Sequence, residues 1–308
     1  MSTTLGGIRN IPGIRGAAYR LERLRQRASF ALRGAGYYAL ARARRDPSAR
    51  AAVTAVTVGR NDDYMADFRQ RLHATIEWNM RHLVGEYVFV EWNPPAGRDL
   101  LAYGLTERFK NLRAYVVPAE THRAINRNPH VELLEYHAKN VGIRRARTPW
   151  VLATNADAAL GMDTVNRLLG ARLDTLDTGV AWTTERVDIN WRENEQTRLT
   201  LLGSMRYHRV IPYDPLGTGE FILASREMWA RTRGYDESLV RHKIGCDVRG
   251  TAQMLEHGAR IDKAGVVLHL RHPSSCVEGV PYHNGDDWGL GGAREVQLAE
   301  RVWRLESE

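Results

Sequence analysis

The chain has 308 residues, 43% apolar and 26% charged, with a formal net charge of +8; this suits one large globular α/β unit with appendages and excludes a disordered or fibrous chain. The charge is concentrated, because residues 1–50 hold eleven Arg, no Lys and two acids, whereas the rest of the chain holds 33 basic and 34 acidic residues. A body so close to neutral argues against a nucleic-acid reader, which carries basic residues across its face.

Between Ile14 and Leu40, the residues Leu21, Leu24, Ala28, Ala31 and Leu32 recur at helical spacing among Arg20, Arg23, Arg27 and Arg33. This predicts a basic, weakly amphipathic helix within a 1–50 extension. Such a helix either packs on the body with a solvated Arg face or, within residues 9–50, meets an anionic membrane surface or acidic partner. Asp46-Pro47-Ser48 reads as a linker. The body opens with a β-branched, apolar strand, Val53 to Val58, that stops at the polar loop Arg60-Asn61-Asp62. A helix from about Met65 to Leu83 follows, with Phe68, Leu72, Ile76 and Met80 on one face. A second strand, Tyr87 to Trp92, closes at Asn93-Pro94-Pro95 and completes a βαβ unit. A helix near Asp99 to Phe109, a strand at Leu112 to Val117, a helix from Leu133 to Arg145 and a buried strand, Trp150 to Thr154, continue the pattern. Further on, Val248 to His257 reads as a helix, Gly265 to Leu268 as a strand and Arg294 to Leu305 as a C-terminal helix.

In open parallel sheets ligands sit beyond the carboxyl ends of the strands. Three such ends are polar here: Arg60-Asn61-Asp62, Glu91-Trp92-Asn93 and Asn155-Ala156-Asp157. No Gly-x-Gly-x-x-Gly follows the first strand and no Gly-Lys-Ser/Thr loop occurs, which disfavours the usual dinucleotide and ATP sites. A diphosphate bound without a glycine-rich loop needs another cation, and a divalent metal held by a strand-end carboxylate supplies it. Asp157 has that position, with Asn155 as a neutral oxygen or a ribose contact. The plain structural alternative is an Asx turn that ends the strand.

The run His137-Ala138-Lys139-Asn140-Val141-Gly142-Ile143, then Ala146, then Trp150 to Asp157 resembles the nucleotide-sugar half of glycosyltransferase family 2 and its GT-A-fold relatives. There, a helix bearing Asn and Gly leads into a strand ending in an Asp-x-Asp-like triplet; this chain has Asn155 at the first position. The run Gly217-Thr218-Gly219-Glu220-Phe221-Ile222-Leu223, followed by Gly234-Tyr235-Asp236-Glu237, resembles the galactosyltransferase-like C-terminal region of such enzymes. The resemblance implies a GT-A fold, a Rossmann-like, mixed and mostly parallel sheet flanked by helices. It implies one catalytic domain, 51–308, with a nucleotide-binding half (51–160), an acceptor and catalytic half (161–290) and a C-terminal helix (291–308).

The resemblance also implies site residues. Arg60, Asn61, Asp62, Glu91, Asn140 and Asn155 fall to the donor nucleotide, and Gly217, Gly219 and Glu220 to the sugar and acceptor; apart from the resemblance, the polar, glycine-rich run His283 to Gly289 reads as an active-site flap or its base, with Trp288 as an aromatic for a sugar face. The family's Glu-Asp pair is Cys246-Asp247 here, which leaves Asp247 as the base of an inverting transfer, with Asp236 and Glu237 as less favoured choices and a helix cap as the structural alternative for Asp247. After the strand ending at Leu268, His269 is the preferred second metal ligand, His272 its alternate, and Arg271 a diphosphate partner. Trp182 and Trp191 are either acceptor contacts or core.

The expected activity is transfer of a sugar, of hexosyl type, from a UDP- or GDP-sugar to the hydroxyl of a small-molecule, glycan or lipid-linked acceptor, with Mn2+ or Mg2+ as cofactor. The alternatives are a sugar nucleotidyltransferase of related fold and a non-enzymatic, basic membrane-surface or nucleic-acid-binding protein. Cys246 and Cys276 are too few for a disulfide framework. No apolar stretch reaches the length of a membrane span, and the N-terminus lacks the apolar run of a signal peptide. The expected location is the cytoplasm, with possible peripheral attachment at the inner face of the membrane.

Overall fold

The computed structural model describes residues 52–127, 131–170, 177–190, 219–240, 245–272 and 294–296. The basic extension lies outside the described residues, as do Trp191, Gly217, Cys276 and Trp288. Among the described residues no helix is long and apolar enough to cross a membrane.

The first half alternates strand and helix: β1 (Val53–Gly59), α1 (Phe68–His82), β2 (Glu86–Trp92), α2 (Leu101–Arg108), β3 (Leu112–Val117), α3 (Ala119–Ile125), α4 (Glu135–Arg145) and β4 (Trp150–Thr154). The second half contains β5 (Ala158–Leu160), α5 (Met162–Gly170), β6 (Val180–Ile189), β7 (Phe221–Ser225), α6 (Arg226–Arg231), α7 (Cys246–Glu256), β8 (Arg260–Leu270) and β9 (Arg294–Val296). All strands join one sheet in the order β5-β8-β6-β7-β4-β1-β2-β3-β9. The run β3-β2-β1-β4 is parallel throughout. β7 is antiparallel to β4 and β6, β8 is parallel to β6, and β5 is antiparallel to β8. The result is the expected mixed α/β sheet flanked by helices.

Every residue of β1 is buried because helices cover both faces of the sheet. The strand period of two sends Val53 and Ala55 into one cluster with Phe68, Leu72 and Ile76 of α1, and Val56 and Val58 into another with Ala138 and Val141 of α4. Only the first three residues of the expected C-terminal helix, Arg294 to Leu305, are described, and 297–305 lie outside the described residues. Residues 294–296 form a short strand, antiparallel to Ala114–Val116 of β3, since the open edge of β3 supplies backbone partners that outweigh local helical spacing.

The Gly of the recognised helix run has a packing role. At Gly142, α4 crosses β1 so closely that a Cβ would run into the Val56 methyl Cγ1 and press on Val88 Cγ1. Alanine gains about 1 kcal/mol over glycine in a helix, but overpacking a fully buried contact costs about 1–3 kcal/mol. Gly142→Ala is therefore expected to lower the urea midpoint of unfolding while leaving metal binding unchanged; a raised midpoint would refute the packing role.

Candidate active site

β4 ends at Thr154, and the chain then turns through Asn155-Ala156-Asp157 into β5, with Ala158 N–H donating to Asn155 O at 3.3 Å. The turn is held from below by α1. Thr75 Oγ1 donates to Ala156 O (2.6 Å), Asn79 donates to Ala158 O and accepts from Leu160 N–H (both 3.0 Å), and Trp78 Nε1 donates to Leu160 O (2.8 Å). On the other side Leu270 N–H donates to Asp157 O at 2.9 Å. Because the backbone on both sides of Asp157 is committed, its carboxylate has a defined direction.

Sheet register brings the partners. β5 pairs Ala158 with His269 of β8, and β8 pairs His269 with Asp188 of β6. His272 Nε2 lies 2.7 Å and His269 Nε2 3.7 Å from Asp157 Oδ2, and the two Nε2 atoms are 3.2 Å apart. One ligand atom from each residue lies within 4.8 Å of the others. Asp157 Oδ1 is buried with no hydrogen-bond partner, an orphan that calls for a cation. Burial raises the Asp157 carboxyl, but the hydrogen bond from His272 and the charges of both histidines outweigh it and hold the group below its ordinary range. Burial pushes the His269 imidazole down, which favours the neutral, ligating form. These residues fit a divalent metal: one carboxylate and two imidazoles converge, and loss of the proton that His272 Nε2 shares with Asp157 would free that nitrogen to ligate.

The cluster forms one end of a cleft of about 270 Å3 whose walls include Arg60, Tyr64, Asn155, Arg186 and Glu220. Arg60 is bidentate to Asp62 and lies 4.7 Å over the Tyr64 ring. Asn155 Oδ1 accepts from Lys139 Nζ at 2.7 Å. Lys139 is fully buried, and its three N–H donors have three acceptors: Asn155, Gly219 O at 3.0 Å and Glu135 at 2.7 Å. Glu220 is ion-paired with Arg186. Burial pushes its carboxyl up to about 8 against the pull of Arg186, with the charges of Asp157 and Asp188 adding to the rise.

The structure brings Arg60, Asn155, Asp157, Glu220, His269 and His272 to this cleft and takes other sequence-derived candidates elsewhere. Asn61 donates to Asp99 O at 2.8 Å and accepts from Arg98, on the loop outside. Glu91 is fully buried and accepts from the Leu101 and Ala102 N–H groups (3.1 and 2.9 Å), so it closes the N-terminus of α2. Asn140 is buried and ties α4 to the 234–237 loop: it donates to Tyr235 O (2.8 Å) and Glu237 Oε1 (2.7 Å) and accepts from Tyr235 N–H (2.8 Å). Arg271 is exposed, its N–H spent on Ile189 O at 2.9 Å, and does not line the cleft. Trp182 belongs to the core, under the Arg167 guanidinium. Asp236 is ion-paired with Arg249 at 3.1 Å.

Asp247 lies in the first turn of α7, and its Oδ2 accepts from Gly219 N–H at 2.8 Å. A Cβ at Gly219 would come within 2.8 Å of Asp247 Cβ and 2.9 Å of Tyr136 Oη, so glycine permits this close approach. Burial raises the Asp247 carboxyl against the pull of nearby N–H groups and Lys139. Three site residues were not anticipated: Lys139, Arg186 and Asp188. The signals were present. Lys139 precedes Asn140 in the recognised run, and Arg186 and Asp188 alternate with Val187 and Ile189, the pattern of a strand with one polar face.

The sheet order and the helices on its faces are those of a mixed α/β sheet, in keeping with the GT-A fold that the sequence resemblance implies. Among solved structures, the chain is similar to a mannosyltransferase, PcManGT from Pyrobaculum calidifontis, in complex with GDP-Man and Mn2+, at 19% identity and a TM-score of 0.47, covering 82% of this chain and 68% of that one. It is also similar to GalNAc-T7 with UDP, GalNAc and Mn2+, at 12% identity and a TM-score of 0.47, covering 71% of this chain and 43% of that one. No protein-family model matches the chain, and no curated protein matches it in sequence. Asp157, His269 and His272 gather where β4, β5 and β8 meet, beside the residues just beyond β1.

Glu91 provides a test of its structural role. Burial lifts its carboxyl from 4.5 to about 7 against two backbone hydrogen bonds that favour the anion. A folded state with the higher pKa holds a proton that the unfolded chain has released, so this contribution to stability is present below about pH 4.5 and is lost as pH rises through about 7. Urea melts of wild type and Glu91→Gln across that range are expected to show the variant gaining relative stability with rising pH; a constant difference would contradict the assignment.

Proposed function

We propose that this protein is a divalent-metal-dependent glycosyltransferase that moves a sugar, of hexosyl type, from a nucleotide-diphosphate donor to an acceptor hydroxyl. The observation that carries the reading is the convergence of Asp157, His269 and His272 around a buried, unpartnered carboxylate oxygen at the carboxyl end of β4, where α/β sheets bind nucleotides. Two imidazoles beside one carboxylate suit Mn2+ better than Mg2+, which takes oxygen ligands and gives up its waters reluctantly. When bound, the cation supplies positive charge for the leaving diphosphate.

The remaining roles fall to the residues of this chain. Arg60 and Asn155, on the cleft wall, contact the donor nucleotide. Arg186 lines the cleft where Arg271 does not, and its planar donor fork is the cation suited to the diphosphate. Gly219 and Glu220 orient the sugar. The acceptor hydroxyl oxygen attacks the anomeric carbon as the bond from that carbon to the diphosphate oxygen breaks, with the electron pair leaving on the nucleoside diphosphate. The hydroxyl proton passes to Asp247, whose carboxyl, raised by burial, is a better proton acceptor than an ordinary Asp. A base that takes the proton in the displacement itself gives an inverted product.

The test is thermal unfolding with Mn2+ across UDP-, GDP- and dTDP-sugars, followed by turnover with the donor that stabilises. Asp157→Ala is expected to abolish the metal-dependent shift, and a persisting shift would defeat the metal assignment. Asp247→Asn is expected to keep the shift but lose about 10²–10⁴-fold in kcat, and the acid limb of the wild-type kcat/KM profile is expected above the ordinary Asp range. Pyrophosphate release from a nucleoside triphosphate and a sugar phosphate would instead mark a nucleotidyltransferase.

A further inference from the structure

We propose that Asp188 selects the tautomer of His269 that ligates the metal, and that Arg186 competes for the same ring nitrogen, so that this pair tunes the cation affinity of the cleft. The inference rests on the metal reading above. His269 is 4% exposed, so protein groups and not water define its hydrogen bonds. Its Nδ1 lies 2.8 Å from Asp188 Oδ1 and 2.7 Å from Arg186 Nη2. Its Nε2 faces Asp157 and His272, with Arg186 Nη2 3.4 Å away, farther than from Nδ1.

A neutral imidazole carries one proton, and the two nitrogens have opposite roles. Nδ1 cannot donate to a carboxylate and accept from a guanidinium at once. If it accepts from Arg186, the ring proton sits on Nε2 and blocks the lone pair that faces Asp157 and His272. If it donates to Asp188, the Nε2 lone pair is free for a cation, the arrangement in which an outer carboxylate orients a metal-bound His.

The geometry also supplies a place for Arg186 to go. Its Nη1 is already on Glu220 Oε1, and the other carboxylate oxygen, Glu220 Oε2, is buried without a hydrogen-bond partner. Transfer of Nη2 from His269 to Glu220 Oε2 would make the guanidinium bidentate on Glu220 and leave Nδ1 to Asp188. The Arg186 Nε contact to Asp188 Oδ1 at 2.8 Å keeps the three side chains in register during that exchange. A donor diphosphate that draws Arg186 away from His269 has the same effect, which couples donor binding to metal binding.

The test titrates the full chain with Mn2+ alone by calorimetry, with thermal unfolding of each variant as a check of folding. Asp188→Ala is expected to bind Mn2+ about 10–100-fold more weakly than wild type. Asp188→Asn, which keeps an acceptor oxygen, is expected to recover most of that loss. Arg186→Met, which removes the competitor, is expected to bind Mn2+ at least as tightly as wild type. Unchanged binding by Asp188→Ala, equal losses in Asp188→Ala and Asp188→Asn, or weaker binding by Arg186→Met would each overturn the proposal. Asp157→Ala separates the two levels: if it leaves Mn2+ binding intact, the metal reading falls as well, whereas loss in Asp157→Ala with none in Asp188→Ala removes only the role of Asp188. A measurement on the wild type needs no variant to fold: nitrogen NMR of 15N-histidine-labelled protein with Zn2+ is expected to show His269 protonated at Nδ1 and metal-bound at Nε2, and the opposite tautomer refutes the proposal.

Discussion

Between Thr183 and Thr184 of β6 the parallel pairing with β8 skips one residue: Thr183 lies opposite Lys263, Thr184 opposite Gly265, and Ala264 is left as a bulge. The candidate site depends on that skipped residue. Without it Asp188 would lie opposite Leu268, whose side chain belongs to the apolar cluster with Val187 and Ile189; with it, Asp188 lies opposite His269. A shift of one residue exchanges the two faces of a strand, so the bulge is what sets Arg186, Asp188 and His269 side by side. Gly265 makes the bulge possible. Its φ of 151° is one that side chains resist, and a Cβ there would come within 2.8 Å of the Thr164 backbone nitrogen.

A second constraint acts from the opposite side. After β4 the chain leaves the parallel part of the sheet and joins β8 through only three residues of β5. Buried backbone groups in such a short connection must still be paired, and an unpaired one costs about 1–3 kcal/mol. Thr75, Trp78 and Asn79 of α1 provide the pairing. A helix whose other residues fill the core thus sets the position of a carboxylate in the cleft, and packing and chemistry share one element.

Lys139 and Asn140 are adjacent on α4 and serve two linkages. Lys139 joins the end of β4 to Gly219, and Asn140 secures the 234–237 loop against the helix. Through Gly219, which donates to Asp247, Asn155 on the cleft wall and the proposed base are connected by consecutive short hydrogen bonds. The recognised Asn and Gly of this run are therefore structural: one binds a loop, and the other lets helix and sheet approach. A motif recognised in a sequence marks a place in a fold, and the contacts decide what each of its residues does there.

The parallel half was legible from the sequence, because buried strands of β-branched residues and helices of regular apolar spacing follow from local physics. Trp150–Thr154 and Leu112–Val117 have the bounds that their composition indicates, and Asp157, His269 and His272 were singled out by position after strands. Glu91 and Asn140 were polar residues in the expected places, yet burial and backbone partners turned them inward, which spacing along a chain does not encode. Arg186 and Asp188 are not legible locally, because their placement arises from pairing between β6 and β8, about 80 residues apart in the chain. The sequence by itself determined the elements of the parallel half and the residue types at the candidate site; the tertiary structure decided which of those residues meet, because a one-residue bulge and the hydrogen bonds of a distant helix set the register.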